Sequence, residues 1–182
     1  MGISTKFTHA DLLAMPEDNR RREILDGELI VSPTPKLLHQ DIVLRLAVAF
    51  CRYLEGHPIG RVFASPLDVI FTELDVLEPD LIFVLEEHRH ILQDWIRGTP
   101  DLVIEVLSPS SVWRDRGPKL RAYARFGVPE YWIADPDARA IELYRLGKEE
   151  YESPRIFLEQ ETLTSPVIPG FILPVGKVFE SD

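Results

Sequence analysis

Two acidic residues stand where apolar ones would be expected. Asp80, after Pro79, opens the run Leu81-Ile82-Phe83-Val84, and Glu105 interrupts Leu102-Val103-Ile104 and Val106-Leu107, a run introduced by Pro100-Asp101. A strand that is hydrophobic at every position is buried on both faces, and an ionised carboxylate inside it costs several kcal/mol unless a cation or a proton joins it. Side chains alternate along a strand, so Asp101, Val103, Glu105 and Leu107 point one way while Leu102, Ile104 and Val106 point the other. If the two runs are neighbours in one sheet, Asp80 and Glu105 converge. Two carboxylates then offer hard oxygen ligands suited to Mg²⁺ or Mn²⁺, a candidate metal site.

Downstream, Asp115, Lys119 and Tyr123 are four residues apart and share one face of a helix. A lysine near a helix start is disfavoured by the macrodipole, so Lys119 reads either as the partner of an anion or as a surface lysine on a solvated face. The same segment carries Arg114, Arg116, Arg121 and Arg125 interleaved with Trp113, Tyr123 and Phe126, a local basic patch of the kind that contacts nucleic acid. Arg20-Arg21-Arg22 is a second basic cluster. Asp68, inside Leu67-Asp68-Val69-Ile70, either reaches the site from an earlier strand or faces solvent at an edge, and Asp101 either joins the site or ends a turn after Pro100. His39, at the start of a long helix, could contact phosphate or move a proton. His57, His88 and His90 have no ligand-like partners in the sequence and are set aside.

The elements that must position these residues follow from periodicity and punctuation. Thr8 with Asp11 three later resembles a capping box for a short helix ending before Pro16. Asp26-Gly27, between Glu23-Ile24-Leu25 and Glu28-Leu29-Ile30-Val31, is a strong hairpin signal. After Pro33 and Pro35, Leu38, Ile42, Leu46, Ala49 and Tyr53 recur at helical spacing to about Glu55. Strands are expected from Arg61 to Phe71, interrupted by Pro66, then over Asp80 to Leu85 and Asp101 to Leu107, with a helix or loop between Glu86 and Gly98. Gly127 and Pro129 end the basic helix, Glu130 to Ile133 restarts as a strand, and Asp135-Pro136 turns into Ala140 to Arg145. Short strands follow within Tyr151 to Phe157 and Leu163 to Ile172.

Length and composition set the bounds. A chain of 182 residues with 45% hydrophobic content fits one domain over 1–182, an α/β chain of mixed α+β type. Residues 1–6 lack an apolar leader region and no run is long enough to span a membrane, which predicts a cytoplasmic protein. The single Cys51, among Ala47, Val48, Ala49, Phe50 and Leu54, reads as a small buried hydrophobe and excludes a disulfide framework or a multi-cysteine zinc site. A formal charge of −10 argues against coating nucleic acid by bulk attraction, so any DNA contact must be local.

The Pro-Asp, the later Glu and the lysine resemble the PD-(D/E)XK nuclease superfamily, although Leu107 stands where that pattern has its lysine. A longer likeness is to the Uma2 (DUF820) family of restriction-endonuclease-like proteins. It runs through Ile24-Leu25-Asp26-Gly27-Glu28-Leu29, Pro79-Asp80-Leu81, Pro100 to Ser110, Asp115-Arg116 with Lys119 and Tyr123, and Gly127 to Ile133 into Asp135-Pro136. The resemblance implies a restriction-endonuclease-like αβββαβ core, here with an N-terminal helix and hairpin and extra C-terminal strands. It implies Mg²⁺-assisted phosphodiester hydrolysis, with Asp80 and Glu105 on the metal, Lys119 supplying the migrated lysine, and a further carboxylate such as Glu23 from an N-terminal element. DNA is the expected substrate, and cutting both strands with one site per subunit would call for a homodimer. Two rivals stand beside this reading: a non-catalytic nucleic-acid or protein binding module on the same fold, and a hydrolase acting on another phosphoester such as a nucleotide.

Overall fold

Thr8 and Asp11 form the reciprocal capping box that starts α1 (His9–Leu13), the Asp11 carboxylate accepting from the Thr8 amide at 2.7 Å. A computed structural model of the chain describes residues 6–16, 18 and 20–180, so residues 1–5, part of the stretch read for an absent leader, lie outside it. Next come β1 (Arg21–Leu25) and β2 (Glu28–Ser32), paired from Arg21 with Ser32 to Leu25 with Glu28. Asp26 and Gly27 both take positive φ, 53° and 80°, the backbone that a two-residue turn of this hand requires. Helix α2 (Leu37–Gly56) buries Ile42, Val43, Leu46 and Phe50.

The region from Arg61 to Phe71 divides between two sheets. Strand β3 (Gly60–Ala64) ends before Pro66, the chain crosses over, and β4 (Val69–Thr72) pairs with β5 (Asp75–Leu77), a short strand that periodicity did not reveal. Then follow β6 (Leu81–Leu85), a 3₁₀ turn over Glu86–Ile91, β7 (Ile96–Arg97) and β8 (Leu102–Val106). Helix α3 (Val112–Arg114) runs through a π-turn at Asp115–Lys119 into α4 (Leu120–Arg125). Pro118 has no N–H to give the Arg114 carbonyl four residues earlier, which favours the wider turn, and within that turn the carbonyl of Asp115 accepts from the Tyr131 hydroxyl at 3.1 Å. Lys119 therefore lies in mid-helix and not at a helix start. Gly127, at φ 78°, ends the helix in the left-handed conformation that glycine tolerates. The chain closes with β9 (Glu130–Asp135), β10 (Ala140–Arg145), β11 (Arg155–Leu158), β12 (Thr162–Thr164) and β13 (Ile172–Pro174).

A six-stranded mixed sheet has the order β11-β10-β9-β8-β6-β3, with β8 and β9 parallel and its other pairs antiparallel. A five-stranded sheet, β2-β1-β5-β4-β7, carries the hairpin. The alternation read along β8 holds: Leu102, Ile104 and Val106 join the core under α2 with Phe50 and Trp132, while Val103 and Leu107 join Tyr123, Tyr131 and Val128 on the α4 side. The order α2-β3-β6-β8-α4-β9 is the expected αβββαβ core. Cys51 corrects the reading of a buried thiol, because Phe50 takes the core-facing position of α2 and the next residue turns about 100° away to the exposed side. No helix among the described residues is long and apolar enough to cross a membrane.

Candidate functional site

The antiparallel register of β6 on β8 sets Leu81 opposite Ile104 and Ile82 opposite Val103. One step further out, the residues facing each other are Asp80 and Glu105. Both are buried, and each commits one oxygen to the fold. Asp80 Oδ2 accepts from the Val106 amide at 2.7 Å and lies 3.1 Å from His39 Nε2. Glu105 Oε1 accepts from Lys119 Nζ at 2.7 Å and from the Tyr123 hydroxyl at 2.8 Å.

The hairpin brings two more groups. Arg21 and Glu23 are two apart on β1 and share a face, which looks into the same place. Glu23 Oε1 lies 2.7 Å from Lys119 Nζ and accepts from the Glu78 amide at 2.9 Å, so the buried ammonium, 2% exposed, is held between two glutamates. Arg21 lies among the acids: Nη1 is 2.8 Å from Asp80 Oδ1, Nη2 is 3.5 Å from Glu105 Oε2, and Nε is 3.5 Å from Glu78 Oε1. Only Nη1 of these makes a hydrogen bond. Asp115 lines the same cavity with Oδ2 buried and without a hydrogen-bond partner.

Electrostatics separates the acids. Burial disfavours ionised Asp80, but the His39 hydrogen bond, the Arg21 cation and the Val106 amide outweigh it and hold the carboxyl at about 2. Burial pushes Glu105 upward, with Asp115 and Asp80 adding to the rise against Lys119 and Arg21. Glu23 is lowered despite burial because Lys119 and Arg21 face it, and burial raises Glu78 to about 7. Burial alone would lower Lys119, but Glu105 and Glu23 raise it, so it stays an ammonium.

Arg21, Glu23, His39, Asp80, Glu105, Asp115 and Lys119 line a cavity of about 730 Å³ whose wall also includes Lys36, Ser108, Ser110, Ser111, Arg114 and Arg116. Arg114 reaches Ser32 Oγ at 3.3 Å, while Arg116 is engaged with Asp135 and Glu142.

Of the residues singled out from sequence, Asp80, Glu105, Lys119, Tyr123, Glu23 and His39 come together. Asp101 does not: its carboxylate turns away to accept from the Leu85 amide and to meet His88 Nδ1, both at 2.7 Å, which also gives His88 the partner that sequence reading denied it. Asp68 precedes β4, half-buried and outside the cavity lining. Arg125 bonds Asp26 and Asp75 on the hairpin side, and Arg121 is exposed off the cavity lining. Arg21, Glu78 and Asp115 complete the cluster. The signal for Arg21 was its even spacing from Glu23 on a strand, and for Glu78 its place at the end of the apolar Val76-Leu77.

The donor chemistry suits Mg²⁺ or Mn²⁺, which take one or two carboxylates and fill the rest of their shell with water. Of the other two oxygens of the Asp80 and Glu105 carboxylates, Asp80 Oδ1 accepts from Arg21 Nη1 at 2.8 Å and Glu105 Oε2 lies 3.5 Å from Arg21 Nη2. Among the described residues no group of three or more His, Cys, Asp or Glu side chains is arranged to hold a metal ion, so any such site rests on this pair.

The family model Uma2, described as "Putative restriction endonuclease", matches residues 9–176. The chain is 29% identical over 142 residues to the "Uncharacterized protein slr1290" of Synechocystis sp. strain PCC 6803, covering 76% of this chain and 74% of that one. The crystal structure of "a putative nuclease belonging to DUF820" from Anabaena variabilis superposes with a TM-score of 0.79 at 20% identity, covering 95% of this chain and 97% of that chain, a likeness of fold.

Proposed function

This chain belongs to the Uma2 family, and from that premise we propose that it is a divalent-metal-dependent nuclease hydrolysing phosphodiester bonds of DNA. The observation that carries the reading is that Asp80, just before β6, and Glu105, on β8, each have one oxygen held by the fold and the other facing Arg21, beside a cavity that Lys119 helps to line.

Asp80 and Glu105 would hold Mg²⁺ or Mn²⁺, which when bound supplies Lewis acidity to a scissile phosphate and lowers the pKa of a coordinated water. The chain's own groups do the positioning. The Val106 amide and His39 fix the plane of Asp80, and Lys119 and Tyr123 fix that of Glu105. Lys119, kept charged by Glu105 and Glu23, is a compact cation beside the place where negative charge develops. Arg114 and Lys36 in the cavity wall offer cations to the flanking phosphates without any general positive field, in keeping with the acidic chain. Duplex cutting by one site per subunit would use two copies of the chain.

The test is incubation of the protein with plasmid, single-stranded DNA, RNA and nucleotides in Mg²⁺ or Mn²⁺, beside Glu105→Gln. Cleavage of DNA that needs the metal and falls by roughly a hundredfold or more in the variant is the expected result. Cleavage surviving the substitution would reject the assignment. Cleavage of nucleotides alone would select the phosphoester rival, and nucleic-acid binding without cleavage would select the binding module.

A further inference from the structure

The disposition of the four carboxylate oxygens at Asp80 and Glu105 says more than that two acids are near one another. Asp80 Oδ2 is used by Val106 and His39, and Glu105 Oε1 by Lys119 and Tyr123. The two remaining oxygens, Asp80 Oδ1 and Glu105 Oε2, are the ones that would be left to hold a divalent ion, and the guanidinium of Arg21 stands at both, 2.8 Å from one and 3.5 Å from the other. From this, and resting on the proposed function, we infer that Arg21 is the resident counter-cation of the acid pair and that a divalent ion must displace its guanidinium to bind.

The way Arg21 is held fits a displaceable partner. A permanent arginine–carboxylate pair uses the fork, with two parallel N–H···O bonds. Here only Nη1 is hydrogen-bonded, while Nε and Nη2, buried, have no hydrogen-bond partner although Glu78, Glu105 and Glu23 lie 3.5–4.0 Å away. The guanidinium is held by the charge around it more than by directed bonds. Lys119, a second cation of the cluster, is held by two carboxylate oxygens at 2.7 Å. The two cations therefore have different duties: Lys119 fixes Glu105 whether or not a metal is present, and Arg21 neutralises the pair only when one is absent. At 19% side-chain exposure on the cavity wall, Arg21 has a path by which to leave.

Calorimetric titration of Mn²⁺ into wild type, Arg21→Gln and Asp80→Asn tests this. Arg21→Gln is expected to bind Mn²⁺ about tenfold or more tighter than wild type, because a charge-assisted hydrogen bond no longer has to be broken, and Asp80→Asn to abolish binding. Equal or weaker binding by Arg21→Gln, with Asp80→Asn inactive in binding, overturns the competition and leaves the metal site standing. No Mn²⁺ binding by wild type or by Arg21→Gln overturns the metal reading and the competition with it. Should Arg21→Gln fail to fold, the wild type carries the test alone: the Nε–H resonance of Arg21, assigned through its own backbone in ¹⁵N-labelled protein, should move as Mg²⁺ saturates the site. A resonance that stays fixed at saturation overturns the inference.

Discussion

Lys119 reaches Glu105 from the α4 side of the sheet, Nζ to Oε1 at 2.7 Å, and neither group has appreciable access to water. The residue two beyond Glu105, Leu107, packs instead into the apolar layer with Val103, Tyr123 and Tyr131. A buried charge pair of this kind contributes little net stability compared with an apolar pair, yet removing one member leaves the other uncompensated.

Lys119→Met should therefore destabilise the protein by about 3–5 kcal/mol, since Glu105 and Glu23 lose their shared cation. Urea denaturation at neutral pH measures it. Adding Glu105→Gln to Lys119→Met should recover part of the loss, a coupling that a double-mutant cycle reads directly.

Tyr123→Phe removes one of the two donors to Glu105 Oε1 and leaves the other in place. A cost of about 1 kcal/mol is expected. The substitution should also weaken Mn²⁺ binding less than Asp80→Asn does; an equal loss would show that Tyr123 does more than orient the carboxylate.

The pH dependence has a definite sign. Glu78 is raised from 4.5 to about 7 by burial, so between those values the folded chain keeps a proton that the unfolded chain has released. Stability from this group is full below 4.5 and is lost as pH rises through about 7. Asp80, held at about 2, acts oppositely: its contribution is present above 3.8 and disappears as pH falls through about 2. Glu78→Gln should flatten the decline of unfolding free energy between pH 4.5 and 7, measured by denaturant titration across that range, and an unchanged slope would refute the assignment.

Asp101 separates scaffold from site. Asp101→Ala strips the Leu85 amide and His88 of their acceptor, at a cost of about 1–3 kcal/mol. Well below the melting temperature, nuclease activity should match wild type; a collapse of activity in folded protein would return Asp101 to the site.

Strand alternation and hairpin chemistry made much of this arrangement legible beforehand. Glu105 was conspicuous because an acid inside an apolar strand has few structural excuses, and Tyr123 and Lys119 followed from helical spacing. Arg21 was hidden because it reads with Arg20 and Arg22 as a basic cluster toward nucleic acid, whereas the hairpin strand β1 turns it onto the buried acids and leaves Arg22 to Asp18. Asp101 was ambiguous for a local reason: Pro100-Asp101 and Pro79-Asp80 are the same dipeptide before similar apolar runs, and only the strand register distinguishes them. The division of Arg61 to Phe71 between two sheets depended on a crossover that no periodicity encodes.

The π-turn at Asp115–Lys119 gives the segment an extra residue relative to an unbroken α-helix. Because the wider turn takes up that residue, removing it would restore regular winding with α4 close to its present phase, whereas deleting Leu120 from the regular helix beyond would carry everything after it about 100° round the axis. Tyr123 would leave Glu105, and Ala122 and Ala124 would lose their seats in the tyrosine-lined layer. Whether Lys119 and Tyr123 meet on Glu105 is thus a matter of spacing along the helix as much as of residue identity, and a single-codon deletion would part them with every acidic side chain intact.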